Sequence, residues 1–148
     1  MLSDTVAEVL RKKGTHVYSV APDQAAIDAM ALMGQRRVAA VLVVSAGQPV
    51  GIVSAKDYGR RVALNKRDPE NTEISAVMTS PVVTVSPETT VSQAMAIMTE
   101  RRIRHLPVMD RDQIVGIVSM GDLARSVIAQ QALDINHLHG YIGDRYPG

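Results

Sequence analysis

At 148 residues with 46% apolar side chains, the chain is long enough for one compact domain or for two small halves that share a core. Phe, Trp and Cys are absent, so the core must be aliphatic, built from Val, Ile, Leu, Ala and eight Met; disulfides, thiolate metal sites and a cysteine nucleophile are excluded. Sixteen Lys and Arg against fifteen Asp and Glu, mixed along the chain, leave a formal +1 and no electrostatic footprint for nucleic acid or an anionic membrane.

In chain order, MLSDTVAEVLRKKG lacks the apolar core of a signal peptide, and the longest apolar run, Val38 to Val44, is far too short to span a bilayer. A soluble cytoplasmic protein with no membrane partner is the expectation. Thr5 to Lys13, with Glu8 three residues after Thr5, reads as a capped helix that ends at Gly14. Beyond it the chain repeats. A shift of 65 residues superposes 16–64 on 81–129 without a gap, and 19 of those 49 positions are identical.

Each unit reads as strand, helix, strand, strand, helix. In the first, the hairpin turn is Ser45 to Gln48, with Gly47 as the flexible position. Leu64 to Glu73, polar and interrupted by Pro69, is the linker between halves. In the second unit VVTVSP (Val82 to Pro87) alternates as a short strand does. Val91, Ala94, Met95 and Met98 then fall at helical spacing behind a capping box of Thr90 and Gln93. HLPVMD and QIVGIVS form a hairpin about Asp110 to Asp112, and Leu123, Val127 and Ile128 resume the helical period. The tail from Asn136, with three Gly and one Pro, is expected to leave the helix near His139. The expected divisions are 1–72, holding the N-terminal helix and the first repeat, 73–135 for the second repeat, and 136–148 for the tail.

Two units of the form V-x-P, A-M-x-x-M, L-P-V and G-I-V-S-x-x-D resemble cystathionine-β-synthase (CBS) domains in tandem, the arrangement called a Bateman module. The tail GYIGDRYPG is similar to the ending of small bacterial stand-alone CBS pairs. The resemblance implies an α+β fold of two pseudo-twofold-related repeats with an extra N-terminal helix. It also implies adenosine-containing ligands (AMP, ADP or ATP first, NAD or S-adenosylmethionine next) in two inter-repeat clefts, a flat homodimer, and regulation in trans of a separate protein target. No cofactor is required; an adenine nucleotide serves as a regulatory ligand.

The chemistry of such a ligand singles out residues. A ribose offers two vicinal hydroxyls, and a carboxylate can accept both; Asp57 and Asp122 close GIVSAKD and GIVSMGD, and the resembling family uses this aspartate so. A phosphate needs donors, which Ser54 and Ser119 and the amides at a strand-to-helix turn would offer, with Gly51 and Gly116 permitting close approach. Taken singly, these residues would more simply be helix caps and turns. The repeats differ at Ala39-Ala40 against Arg104-His105, positions that in the family often meet phosphate. The expectation is therefore a strong phosphate cleft built from Asp122 with Arg104 and His105, and a weaker one at Asp57, partly compensated by Lys56. Adenine would lie near Val17 and Val82 with Ile52 and Ile117 as walls, and Thr79 and Ser80 contributing in the second repeat.

Other features weigh less. Ser119, His105 and Asp122 could compose a hydrolase triad, but no nucleophile elbow surrounds Ser119, so a non-enzyme is expected. His137 and His139, two apart, fall on different helix faces and make a poor metal pair. Met30, Met33, Met95 and Met98 read as core and inter-repeat or dimer packing, and Arg36-Arg37 and Arg101-Arg102 as cations that complement helix ends. The rival to a ligand sensor is a ligand-independent dimeric scaffold.

Overall fold

The computed structural model describes residues 4–145, with side chains as far as Asn136. Helix α1, Val6–Lys13, begins where the Thr5 hydroxyl accepts from the Glu8 amide at 3.4 Å, and it stops at Gly14, whose φ of 105° only glycine adopts without strain. The first repeat follows as β1 (Ser19–Val20), α2 (Ala26–Arg36), β2 (Ala40–Ser45), β3 (Gln48–Ser54) and a short α3 (Ala55–Tyr58) that widens into a π turn at Gly59–Ala63. The second runs α4 (Val91–Arg101), β4 (His105–Asp110), β5 (Gln113–Ser119) and α5 (Met120–Arg145). The mixed α+β architecture of two repeats is the one the sequence implied.

The hairpins are superposable in register. His105 faces Ser119 and Val108 faces Gly116, just as Ala40 faces Ser54 and Val43 faces Gly51, and each pair slips by a bulge at the same place, Val43/Val44 and Val108/Met109. Ala46 and Gly47, at φ 52° and 76°, close the first hairpin as a two-residue left-handed turn. The Thr90 and Gln93 capping box forms in both directions, each bond at 3.0 Å.

Two expectations differ. Val82–Pro87 is not a strand: Val85 makes a single parallel bridge to Val108. The carbonyls of Pro87, its last residue, and of Thr89 beyond it accept from the first amides of α1, Ala7 and Val6, at 2.9 and 2.8 Å. And α5 runs past His139 to Arg145, because the glycines in it weaken a helix by about 1 kcal/mol each without ending it. The side chains of His137 and His139 lie outside the described residues.

The bonds from α1 have a counterpart. Ser75 and Ile74, in a 3₁₀ turn at Ile74–Ala76, donate to Pro22 and Gln24, each at 2.9 Å. Each repeat's leading segment therefore packs on the other repeat. Val6, Val9 and Leu10 are buried with Val91, Met98, Leu106, Val118 and Leu123. Ile74 and Val77 are buried against Met33, Val41, Val53, Tyr58 and Val62 of the first repeat. Gly51 and Gly116 serve this exchange: a Cβ at Gly116 would stand 2.7 Å from a Leu10 methyl, and one at Gly51 would collide with the Met78 sulfur. The methionine stripe is core as expected, with Met33 and Met98 buried.

Candidate functional site

The exchange of leading segments creates two clefts between the repeats, and each is built around the aspartate of one repeat and segments of the other. One, of about 520 Å³, gathers Ile52, Ser54, Lys56 and Asp57 from the first repeat with Thr79, Val82, Arg104 and His105 from the second. The other, of about 390 Å³, gathers Ile117, Ser119 and Asp122 with Lys13, Gly14 and the α2–β2 corner of the first repeat. Both volumes suit a nucleotide-sized ligand.

The sequence-based pairing of Arg104 with Asp122 is corrected here. Arg104 lines the Asp57 cleft, because the corner at the end of α4 faces across the pseudo-twofold axis rather than toward the aspartate of its own repeat. Only His105 of that pair reaches the Asp122 cleft, and it lines both. Val17 and Ser80 line neither cleft; their neighbours His16 and Tyr18, and Thr79 and Pro81, do.

Both serine–aspartate turns are helix caps first. Ser54 Oγ accepts from the Asp57 amide at 3.0 Å while Asp57 Oδ2 accepts from the Ser54 amide at 3.1 Å, and Ser119 and Asp122 repeat the box at 3.1 and 2.8 Å. The Ala55 and Met120 amides are taken by the Ala39 and Arg104 carbonyls, both at 2.9 Å. Little of either helix start is left for an anion, so an anion in either cleft would have to be met by side chains.

The carboxylates differ in what remains open. Asp57 Oδ2 also accepts from the Thr79 hydroxyl at 3.3 Å, and among the described residues its Oδ1 has no partner and no cation pairs with it. Asp122 Oδ2 lies 2.6 Å from Lys13 Nζ, its Oδ1 lies 2.6 Å from the Arg125 guanidinium, and the side chain is only 6% exposed. Burial pushes the Asp122 carboxyl up, but the hydrogen bond from Lys13, those from Ser119 and the Lys13 charge together hold it below the ordinary carboxylate value. His105 is held below the ordinary imidazole value by burial first, then by Lys13 and Arg104, against the pull of Asp122 and Asp57.

Cations crowd the Asp57 cleft. Arg60, Arg101 and Arg102 line it beside Lys56 and Arg104, and Arg61 lines it while donating to the Val77 and Met78 carbonyls at 3.1 and 2.7 Å. Sequence reasoning placed Arg101 and Arg102 at a helix end and passed over Arg60. The available signal was identity between repeats, since Arg36, Arg37 and Arg60 all recur as Arg101, Arg102 and Arg125. Among the described residues, no cluster of three or more metal-ligating side chains occurs, and no helix is long and apolar enough to cross a membrane.

Comparison with known proteins agrees with the fold of two repeats. The chain is 33% identical, over 97% of its length and 74% of the relative's, to the mitochondrial CBS domain-containing protein CBSX3 of Arabidopsis thaliana. A protein with CBS domains from Burkholderia ambifaria superposes with a TM-score of 0.81 at 40% identity, covering 86% of this chain and 96% of that one. The CBS domain pair of protein MJ0100, solved with 5′-methylthioadenosine and S-adenosyl-L-methionine, shares the fold with a TM-score of 0.74 at 23% identity, covering 85% of this chain and 97% of that one. Residues 6–61 and 74–129 each match the CBS domain family, so α1 and the 3₁₀ turn lead the two repeats, and the chain belongs to that family as a tandem CBS pair.

Proposed function

We propose that the chain is a regulatory module that binds an adenosine-containing ligand in the Asp57 cleft and passes the occupancy of that cleft to a separate protein. The observation that carries the reading is the unclaimed Asp57 Oδ1, an acceptor in a cleft where Lys56 and five arginines are among the lining residues. A carboxylate suits vicinal ribose hydroxyls; Arg104, Arg101 and Lys56 suit phosphate oxygens; Ile52 and Val82 offer aliphatic walls for a base. The neighbouring fold solved with two adenosine compounds supports this ligand class. The charge favours AMP, ADP or ATP, with NAD next, over S-adenosylmethionine, whose sulfonium adds a positive charge to a basic cleft.

The mechanism follows from the cleft's construction. A ligand that touches both Asp57 and Arg104 bridges the repeats and stabilises one arrangement of them, and a target protein that prefers that arrangement is recruited or released by population shift. A homodimer of the pair would present such a surface twice. Thermal unfolding with AMP, ATP, NAD and S-adenosylmethionine tests the reading: a ligand at 100 times its Kd adds about 2.7 kcal/mol. The nucleotides should raise the Tm, and Asp57→Asn, if it weakens binding ten- to hundredfold, should cut the stabilisation to about 0.4–1.4 kcal/mol at the same concentration. Absence of any shift with all four compounds favours a ligand-independent scaffold instead.

A further inference from the structure

The two repeats are led by segments of unequal length. Eleven residues separate Val6 from Val17 but eight separate Ile74 from Val82, although Val6 and Ile74 start equivalent segments. The three additional residues are close to one turn of helix. In the second repeat the chain leaves its 3₁₀ turn and extends, so that Thr79 bonds the first repeat twice: its amide donates to the Ile52 carbonyl at 2.8 Å and its hydroxyl to Asp57 at 3.3 Å. In the first repeat α1 keeps winding to Lys13. The Lys13 ammonium then makes both equivalent bonds, to the Ile117 carbonyl at 2.7 Å and to Asp122 Oδ2 at 2.6 Å.

The replacement changes what the cleft can bind. A hydroxyl on Oδ2 leaves its carboxylate uncompensated with Oδ1 open, whereas an ammonium on the equivalent oxygen neutralises the carboxylate and itself fills part of the cleft lining. Arg125 covers the other oxygen from the solvent side, but its side chain is 73% exposed and such a pair is cheaply broken. Lys13 is different: its side chain is 33% exposed and it is tethered by two short bonds at the end of a helix that is packed into the core. Resting on the nucleotide reading above, we propose that Lys13 is a resident occupant of the Asp122 cleft that closes it to a ribose, so that the folded chain offers one nucleoside site rather than two.

Isothermal titration with AMP tests this on the intact protein. The wild type should bind one AMP per chain, Lys13→Met should bind two, and Lys13→Arg, which preserves the charge, should stay at one. Lys13→Gln provides a second neutral variant should the methionine disturb α1. In an Asp57→Asn background, whose own site should be roughly ten- to hundredfold weaker, adding Lys13→Met should restore one site of wild-type affinity that Asp122→Asn then weakens in turn. Two sites in the wild type, or one in both neutral variants, overturns the role of Lys13 and leaves the Asp57 reading intact. No binding by any variant overturns the nucleotide reading and this proposal together, while a site found only in the neutral Lys13 variants upholds the block and sinks the Asp57 reading.

Discussion

The Asp57 and Asp122 clefts are built from the same phrase of sequence and the same capping box, yet one carboxylate is open and the other is held by two cations. Everything that separates them comes from outside the repeated motif. Thr79 approaches Asp57 as a neutral hydroxyl on an extended chain, and Lys13 approaches Asp122 as a charge on a helix. Arg60 and Arg125 are equivalent residues one turn past their aspartates, but among the described residues only Arg125 of the two closes an ion pair. A duplicated motif thus specifies a scaffold with an acceptor in it, and the partner segment decides whether that acceptor serves a ligand or the protein itself.

The most direct way to break the comparison is to neutralise each carboxylate in turn. Asp57→Asn keeps an oxygen for the Ser54 amide but removes the charge, and the loss of charged hydrogen bonds of about 1.5–3 kcal/mol should weaken AMP binding roughly ten- to hundredfold. Asp122→Asn should leave AMP affinity within about threefold, less than 0.7 kcal/mol. A titration that ranks them the other way would show Asp122 to be the nucleotide carboxylate.

Next in size is the packing that holds the clefts apart. Gly116→Ala and Gly51→Ala press a methyl onto Leu10 and Met78, at a cost of about 1–3 kcal/mol by denaturant unfolding. Gly116→Ala should cost more, because branched Leu10 adapts less well than the unbranched Met78. Equal Cm values for both variants and the wild type would mean that the leading segments are not seated as described.

Arg104→Ala should weaken AMP about fivefold, near 1 kcal/mol for an exposed charge, and leave adenosine affinity unchanged. If adenosine weakens equally, Arg104 acts on cleft shape rather than on phosphate.

The smallest effects are in pH. The folded Asp122 carboxyl lies below 3.8, so its contribution to stability is complete above that pH and is lost as the pH falls through the folded value. Lys13→Met removes its charged partner and should move acid unfolding, followed by circular dichroism, to higher pH. His105 lies below 6.5 when folded, so the unfolded chain protonates first and stability declines as the pH drops from about 6.5 toward the folded value. A phosphate in the Asp57 cleft should raise that value. Proton uptake on AMP binding near pH 6, read from titrations in buffers of different ionisation enthalpy, should therefore disappear in His105→Gln.

Much of the fold is legible in the chain because its signals are local. Thr5 and Thr90 cap helices within three residues, Gly14 ends α1, and Gly47 closes the hairpin between β2 and β3. Val82–Pro87 misleads for the same reason: its alternation is a strand pattern, but Pro107 on β4, distant in sequence, has no amide to donate where Leu42 donates to Tyr18 in the first repeat, so only the bridge at Val85 forms. The candidate site divides likewise. Asp57, Asp122 and their serines stand out through repetition, whereas Lys13 sits in an ordinary cationic helix end and nothing near it announces a carboxylate 109 residues away.

What the sequence by itself determined is the unit: two copies of one pattern, each with a turn that presents a serine and an aspartate, in a family recognisable from those motifs. What only the tertiary structure decided is which copy completes which cleft. Leading segments cross the pseudo-twofold axis and seat their apolar residues, Leu10 and Met78, over the glycine of the opposite hairpin. That choice depends on shape and burial summed over both halves, and no period or spacing within one repeat encodes it.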